Sequence, residues 1–197
     1  MTELQNDCEL LTLWQRGDNR AGSTLVRRHV EALHRFFSNK TDGHDEDLIQ
    51  QTFVACVETK DAFRGESSFR AYLFGVARFQ LLRHYRKIYK ADIAFSTVSI
   101  RDIATSPSGA LTRREDRQLL QLAMQHVPID QQLALELTYW EGLTAPEVAR
   151  VLDVPENTVY SRLRRAKEHL RRALEQLSDI DSERERAMKL LANSDAE

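Results

Sequence analysis

Residues 143–172 read LTAPEVARVLDVPENTVYSRLRRAKEHLRR, a stretch that spells two helices meeting at a sharp corner. Thr144 and Glu147 stand at Thr-x-x-Glu spacing, so the hydroxyl can take a first-turn N–H while the carboxylate reaches back to the cap. That predicts a helix from Ala145. Pro146 suits the first turn, where its missing N–H is no loss, and Val148, Ala149 and Leu152 place one apolar stripe inward. Asp153 falls where a turn residue with positive φ is wanted, and Pro155 bars simple continuation. A second helix is predicted from Glu156, with Val159, Leu163, Ala166 and Leu170 sharing its buried face. The opposite face carries Asn157, Thr158, Ser161, Arg164, Arg165 and Arg172, flanked by Tyr160, Arg162 and Lys167, with Glu168 the lone acid. Short polar groups at the leading end and guanidinium groups behind them suit a major groove, where some read base edges and the rest hold phosphates. A solvated basic face is common on any amphipathic helix. The corner and the capping box beside it make a DNA-binding helix-turn-helix the stronger reading.

The rest of the chain narrows the class. Its 197 residues suit two small domains, each expected to bury its own core. No stretch is long and apolar enough to span a membrane, and the polar start MTELQNDCE does not read as a signal peptide, so a cytoplasmic protein is expected. Cys8 and Cys56 are far apart and lack metal-ligand spacing, which favours two reduced thiols and no metal. The six histidines are scattered, and no catalytic set or phosphate-cradling glycine loop stands out, so neither an enzyme nor a cofactor is expected. A net charge of −2 is low for a DNA binder, because Lys and Arg normally supply most of the affinity. Charge must then be segregated: bases cluster at Arg83 to Lys90 and Arg162 to Arg172, acids at Asp42 to Asp47 and from Asp179 to Glu197.

Helical spacing of Leu4, Cys8, Leu11 and Trp14 stops at Gly17-Asp18, and a second helix is predicted over Ala21 to Phe37. After a polar turn, HDEDLIQQTFVACVE should pack Ile49, Phe53, Cys56 and Val57 inward, while Asp45, Glu46 and Asp47 favour a helix N-terminus. The loop Lys60 to Glu66 leads to a cap at Ser67 or Ser68 and a long helix through about Lys90, with Phe69, Leu73, Val76, Ala77 and Leu81 as its buried face. Rings and cations interleave along Phe63, Arg64, Phe69, Arg70, Tyr72, Phe74, Arg78, Phe79 and Arg83, a pattern that suits single-stranded DNA, although most of these rings could equally be core. Residues 91–112 read as a flexible linker whose apolar residues are more numerous than a free tether needs. Helical period resumes at Arg113, breaks at Pro128, and returns over Gln131 to Trp140, with Leu133, Leu135, Leu137 and Trp140 packing and Gly142 closing the helix. The last helix should run to about Leu177, leaving an acidic tail, 178–197, that is either a solvated extension or a helix folded back on the basic face.

DEDLIQQTF at Asp45, FRGESSFRAYLFGVAR at Phe63 and VPIDQQLALELTYWEGLTAPEVARVLDVPENTVYSRLRRAKEHLR at Val127, in this order, closely resemble bacterial RNA polymerase sigma factors of the sigma-70 family. The match is to their extracytoplasmic-function (ECF) group. It covers roughly Leu10 to Lys90 and Arg113 to Leu177. The resemblance implies an all-α fold of two small helical domains joined by a flexible linker, the second a winged-helix-like, helix-turn-helix four-helix domain. It also implies that residues 1–90 form region 2, which binds the polymerase clamp and reads and melts the minus-ten element. Residues 113–177 would form region 4, which reads the minus-thirty-five element, and 91–112 would thread towards the RNA exit channel.

By this resemblance Asp45, Glu46, Asp47, Leu48 and Gln50 dock on the clamp of the polymerase's largest subunit. Lys60, Phe63, Arg64, Ser67, Phe69, Tyr72, Arg78, Gln80 and Arg83 meet the minus-ten element, and Asn157, Thr158, Tyr160, Ser161, Arg162, Arg164, Arg165 and Lys167 meet the minus-thirty-five element. Core polymerase, including the flap of its second-largest subunit, promoter DNA and an anti-sigma factor are the implied partners. The sequence departs from the family's common residues at Tyr72, Phe79, Arg83, Asp153, Asn157 and Tyr160, so a relative's promoter preference does not transfer.

Two rival readings fit part of the pattern. A helix-turn-helix regulator acting without polymerase would ordinarily need a dimer seam to span two half-sites, and no heptad pattern supplies one. A sigma mimic that titrates a partner without binding DNA fits poorly with Arg164 and Arg165 on a basic helix.

Overall fold

The computed structural model describes residues 6–41, 43–63, 65, 67–89, 98–100 and 116–194, with side chains over 119–178 in the last stretch. Its helices are α1 (Asp7–Gln15), α2 (Asn19–Ser38), α3 (Asp45–Thr59), α4 (Phe69–Tyr89), α5 (Asp116–Met124), α6 (Ile129–Leu135), α7 (Ala145–Leu152) and α8 (Glu156–Ser194). A 3₁₀ turn, Lys60–Ala62, follows α3, and a π turn, Glu136–Trp140, extends α6. The only strand-like pairing among the described residues is one bridge between Ser99 and Pro128. The fold is all-α, as expected. Most of the linker, and Arg64 in the loop before α4, lie outside the described residues.

Local chemistry sets most helix ends. Asn6 and Glu9 form a reciprocal capping box at α1, and the Asp18 carboxylate caps α2 by accepting from the N–H groups of Arg20 and Ala21. The Ser68 hydroxyl accepts from the Ala71 N–H at 3.2 Å, which fixes the start of α4 where the sequence placed it. α1 and α2 approach closely because residue 22 is glycine: a Cβ there would meet the Trp14 indole at 2.4 Å. α8 runs to Ser194 instead of stopping near Leu177, since no Gly or Pro interrupts its sequence.

Burial corrects several assignments. Cys8 is exposed, and the inner face of α1 is instead Leu10, Leu11 and Trp14. On α3 the buried residues are Leu48, Ile49, Thr52 and Cys56, while Val57 is half exposed. Trp140 is also half exposed, because the π turn rotates it off the stripe that an α-helix would continue. The expectation of two separate cores fails too. One continuous cluster joins Leu25, Leu33, Phe37, Phe74 and Leu81 of the first half to Ile129, Leu133, Leu137, Val148 and Leu152 of the second. Each such side chain contributes about 1.5–3 kcal/mol through burial, so the halves are held as one body by more than surface contact. α4 lies against α7, and beyond its predicted stripe it buries Phe74, whose ring is 5.4 Å from that of Phe36 on α2, and Tyr85, whose hydroxyl donates to the Lys40 carbonyl at 2.6 Å. Smaller clusters, Met124 with Val127, Leu135 and Ala166, and Ala123 with Ala173 and Leu177, pin α5 and α6 to α8.

Candidate nucleic-acid interface

The corner between α7 and α8 has the predicted construction. The Thr144 N–H donates to Glu147 Oε2 at 2.9 Å, closing the capping box, and Asp153 takes φ 54° in the left-handed region. Val159 and Ala166 are fully buried beneath the turn. Asn157, Tyr160, Arg164, Arg165, Lys167, Arg171 and Arg172 are consequently exposed, with Thr158 and Ser161 half-buried at the leading end. Arg164 pairs with Glu168 at 3.3 Å, Lys167 lies 5.1 Å from the Tyr139 ring centroid, and the Ser161 hydroxyl donates to the Thr158 carbonyl. Arg165 has no ion pair among the described residues. Arg162 differs from its neighbours. Its guanidinium lies 2.7 Å from the Asp130 carboxylate, turned towards α6 and largely buried.

Five of the minus-ten candidates line an open groove of about 880 Å³ between α3, the loop after it, α4 and α7. Phe63, Ser67, Tyr72, Gln80, Arg83 and Arg150 stand on its wall. The Phe63 and Tyr72 rings are 4.8 Å apart, and the Tyr72 hydroxyl is held against Thr59 Oγ1 at 2.5 Å. Burial raises the Tyr72 phenol above its ordinary value, against a lowering by the Thr59 hydrogen bond, so it stays neutral. Gln15 Nε2 donates to the carbonyls of Lys60 and Phe63 at 2.6 and 3.2 Å, anchoring the loop from the far side. Sequence reading missed Gln15, whose position in an unrelated helix gives no sign of the role. Gln80 is 5% exposed, and its Oε1 has no partner although it lines the groove. A buried acceptor without a partner on the wall of the groove is suited to receive an N–H from a nucleobase entering it.

Two of the minus-ten candidates are misplaced for direct contact. Phe69 is 1% exposed and sits 5.4 Å from His29 in the core, because the first turn of α4 points inward. Arg78 faces the second half of the chain, near Asp130, Arg162 and Asp153. Lys60 pairs with Asp61 at 2.9 Å.

On α3, Leu48 is 3% exposed and belongs to the core, so it offers no docking surface. Asp47 and Gln50 are exposed, and stepping by three and four residues along their stripe leads to Val54 and Val57, each 50% exposed. Glu46 is exposed beside them, whereas Asp45 is partly covered by His34, whose Nδ1 lies 3.2 Å away. An acidic leading end followed by two bare valines is the form of a docking face with a polar rim. The valines were missed because helical period alone does not say which side a neighbour covers.

Comparisons with known proteins agree with this geometry. Residues 25–90 match the model described as Sigma-70 region 2, and residues 117–170 match Sigma-70, region 4. The ECF RNA polymerase sigma-E factor of Escherichia coli (strain K12) is 27% identical over 179 residues, covering 85% of this chain and 94% of the relative. The RNA polymerase sigma-H factor of Pseudomonas aeruginosa is 29% identical over 192 residues, covering 90% and 98%. Among solved structures, CnrH in complex with the cytosolic domain of CnrY aligns at TM-score 0.62 and 24% identity, over 85% of this chain and 96% of that one. The sigma factor RpoE of Bartonella quintana, in complex with the anti-sigma factor NepR, aligns at TM-score 0.57 and 24% identity, over 78% and 96%. These two structures share the fold.

Two helical regions matched in order, with a helix-turn-helix in the second, define an RNA polymerase sigma factor. The chain belongs to the sigma-70 family, in its ECF group, and its function is to direct transcription initiation.

Proposed function

We propose that the first domain, up to residue 90, docks on the clamp of core RNA polymerase through Asp47, Gln50, Val54 and Val57. The same domain reads the minus-ten element in the groove of Phe63, Ser67, Tyr72, Gln80 and Arg83. The second domain, residues 113–177, reads the minus-thirty-five element through Asn157, Thr158, Tyr160, Ser161, Arg164, Arg165 and Lys167. It also meets the flap of the second-largest subunit. The observation that carries this assignment is the exposed row of cations on α8, set immediately behind a capped corner. No described helix is long and apolar enough to cross a membrane, in keeping with a protein that works beside polymerase in the cytoplasm. An anti-sigma factor is a further partner, since both structural relatives named above are complexes with a second protein and the second of these is called an anti-sigma factor.

The test is direct. The protein is mixed with bacterial core polymerase and genomic DNA from its source, and the 5′ ends of the transcripts are sequenced. Start sites sharing two spaced upstream elements are expected. Transcripts without a common upstream sequence, or no binding to core enzyme, would overturn the assignment.

A further inference from the structure

The π turn that closes α6 is held at both ends and bare in between. At its start Glu136 takes the Lys40 ammonium at 2.6 Å, and just past its end the Glu141 carboxylate lies 3.3 Å from Arg35 and from Arg70. The Glu141 N–H donates back to the Glu136 carbonyl at 3.0 Å, and the Leu143 N–H donates to the Leu137 carbonyl at 2.9 Å, with both leucines buried. A backbone fixed in this way presents its side chains in one orientation. Those it presents are Tyr139 and Trp140, 57% and 49% exposed, two large rings in succession left open to water. Such rings ordinarily contribute through the area they bury, and π turns recur at functional sites.

Tyr139 has one charged neighbour. The Lys167 ammonium stands 5.1 Å from its ring centroid, and Lys167 is exposed on α8 with Arg164 and Arg171 one turn to either side. Arg164 is held in a different way. Its guanidinium lies 3.3 Å from the Glu168 carboxylate, which offsets its charge. A ring holds a cation by its quadrupole and leaves the charge whole, so Lys167 is steadied without being neutralised. A free lysine has a long, mobile stem whose ordering costs affinity on binding, and one laid on a fixed ring has given up part of that freedom beforehand. The place is also the right one. In a docked helix-turn-helix the first helix crosses the phosphate backbone, and the π turn leads through Glu141 to Thr144 into that helix, α7.

We propose that Tyr139 is a positioning residue of the DNA interface: its ring holds the Lys167 ammonium against a phosphate at the border of the minus-thirty-five element. Tyr139 lies outside the residues that the family resemblance places on DNA, and the inference rests on α8 being the helix that reads the duplex. Because the ring acts through the lysine, the losses caused by removing either one do not add.

The test uses the full chain and a fluorescein-labelled DNA duplex of mixed sequence, with binding read by anisotropy over a range of salt. Lys167→Gln should weaken binding and reduce the log–log salt slope by about 0.9, the loss of one phosphate contact. Tyr139→Leu, which keeps bulk but not the face of a ring, should weaken binding by about two- to fivefold at low salt and have no further effect once Lys167→Gln is present. Tyr139→Phe keeps the ring and should bind as the parent does. A loss from Tyr139→Leu that persists in the Lys167→Gln background, or that Tyr139→Phe shares, overturns the proposal, since the side chain would then act by another route than the lysine. Parental DNA binding by Tyr139→Leu also overturns it, and a loss of core polymerase binding in that variant, measured on the same samples, would make the turn a polymerase surface. Arg165→Ala separates this inference from the reading beneath it. If Arg165→Ala binds as the parent does, α8 is not the DNA-reading helix; if it is weakened while Tyr139→Leu is not, the positioning role alone is lost.

Discussion

Arg162 Nη2 lies 2.7 Å from Asp130 Oδ2, so one cation of α8 is engaged within its own half of the chain while Arg165, three residues on, is exposed. Their substitutions should separate. Arg165→Ala is expected to weaken promoter binding by about 1–3 kcal/mol and relax preference at one base if it reads a base edge. Arg162→Ala removes the close partner of Asp130 and leaves only the nearby Arg78 as countercharge, so it should instead lower stability, by less than the roughly 3–5 kcal/mol seen when a buried charge is left with no partner. Urea midpoints and promoter affinities measured on both variants check this. Equal loss of stability would contradict the assignment.

Asp47→Lys should reduce affinity for core polymerase by about 3 kcal/mol or more, roughly a hundredfold, because the reversed charge then faces the surface that Asp47 is proposed to meet. Leu48→Ala should act differently. That side chain is in the core, so its loss is expected to cost about 2–5 kcal/mol of folding stability. Pull-down with core enzyme, set beside thermal unfolding, distinguishes a docking residue from a packing one.

The parts legible in the sequence were those governed by neighbours in the chain. The Thr144–Glu147 box, the positive φ at Asp153 and the Ser68 cap each depend on residues within a few positions, and each stands where predicted. Side-chain destinations set by distant partners were not legible. Leu48, Cys8 and Trp140 sit on helices whose period permits more than one buried face, and the choice is made by whichever element packs there. Lys40 and Glu136 are 96 residues apart, and nothing local marks either as a partner of the other.

The two cysteines should react unequally. Cys56 is fully buried, and burial pushes its thiol up to about 12, against a lowering by the Tyr72 hydrogen bond. Almost none is then thiolate at neutral pH. Cys8 is exposed. A maleimide at pH 7 is expected to label one site per native chain and two in denaturant, with Cys8→Ser removing the native signal. Rapid labelling of Cys56 in the native protein would contradict the packing of α3.

His29 should make stability depend on pH. Burial lowers its imidazole below the ordinary 6.5, against the raising effect of Asp7, whose carboxylate lies 2.6 Å from Nε2; Arg70 and Arg28 lower it further. Below about pH 6.5 the unfolded chain takes up a proton that the native site still refuses, so the unfolded state is the one favoured by acid. The contribution is therefore intact above 6.5 and is lost as pH falls towards the folded value, at no more than about 1.4 kcal/mol per unit, the slope of one proton. Urea unfolding of parent and His29→Gln between pH 8 and 5 should show the parent losing stability more steeply on acidification. Asp7→Asn, which removes the attraction that favours the charged ring, should carry the loss to still lower pH. Parallel curves for parent and His29→Gln would mean that the ring is no harder to protonate in the fold than in the open chain.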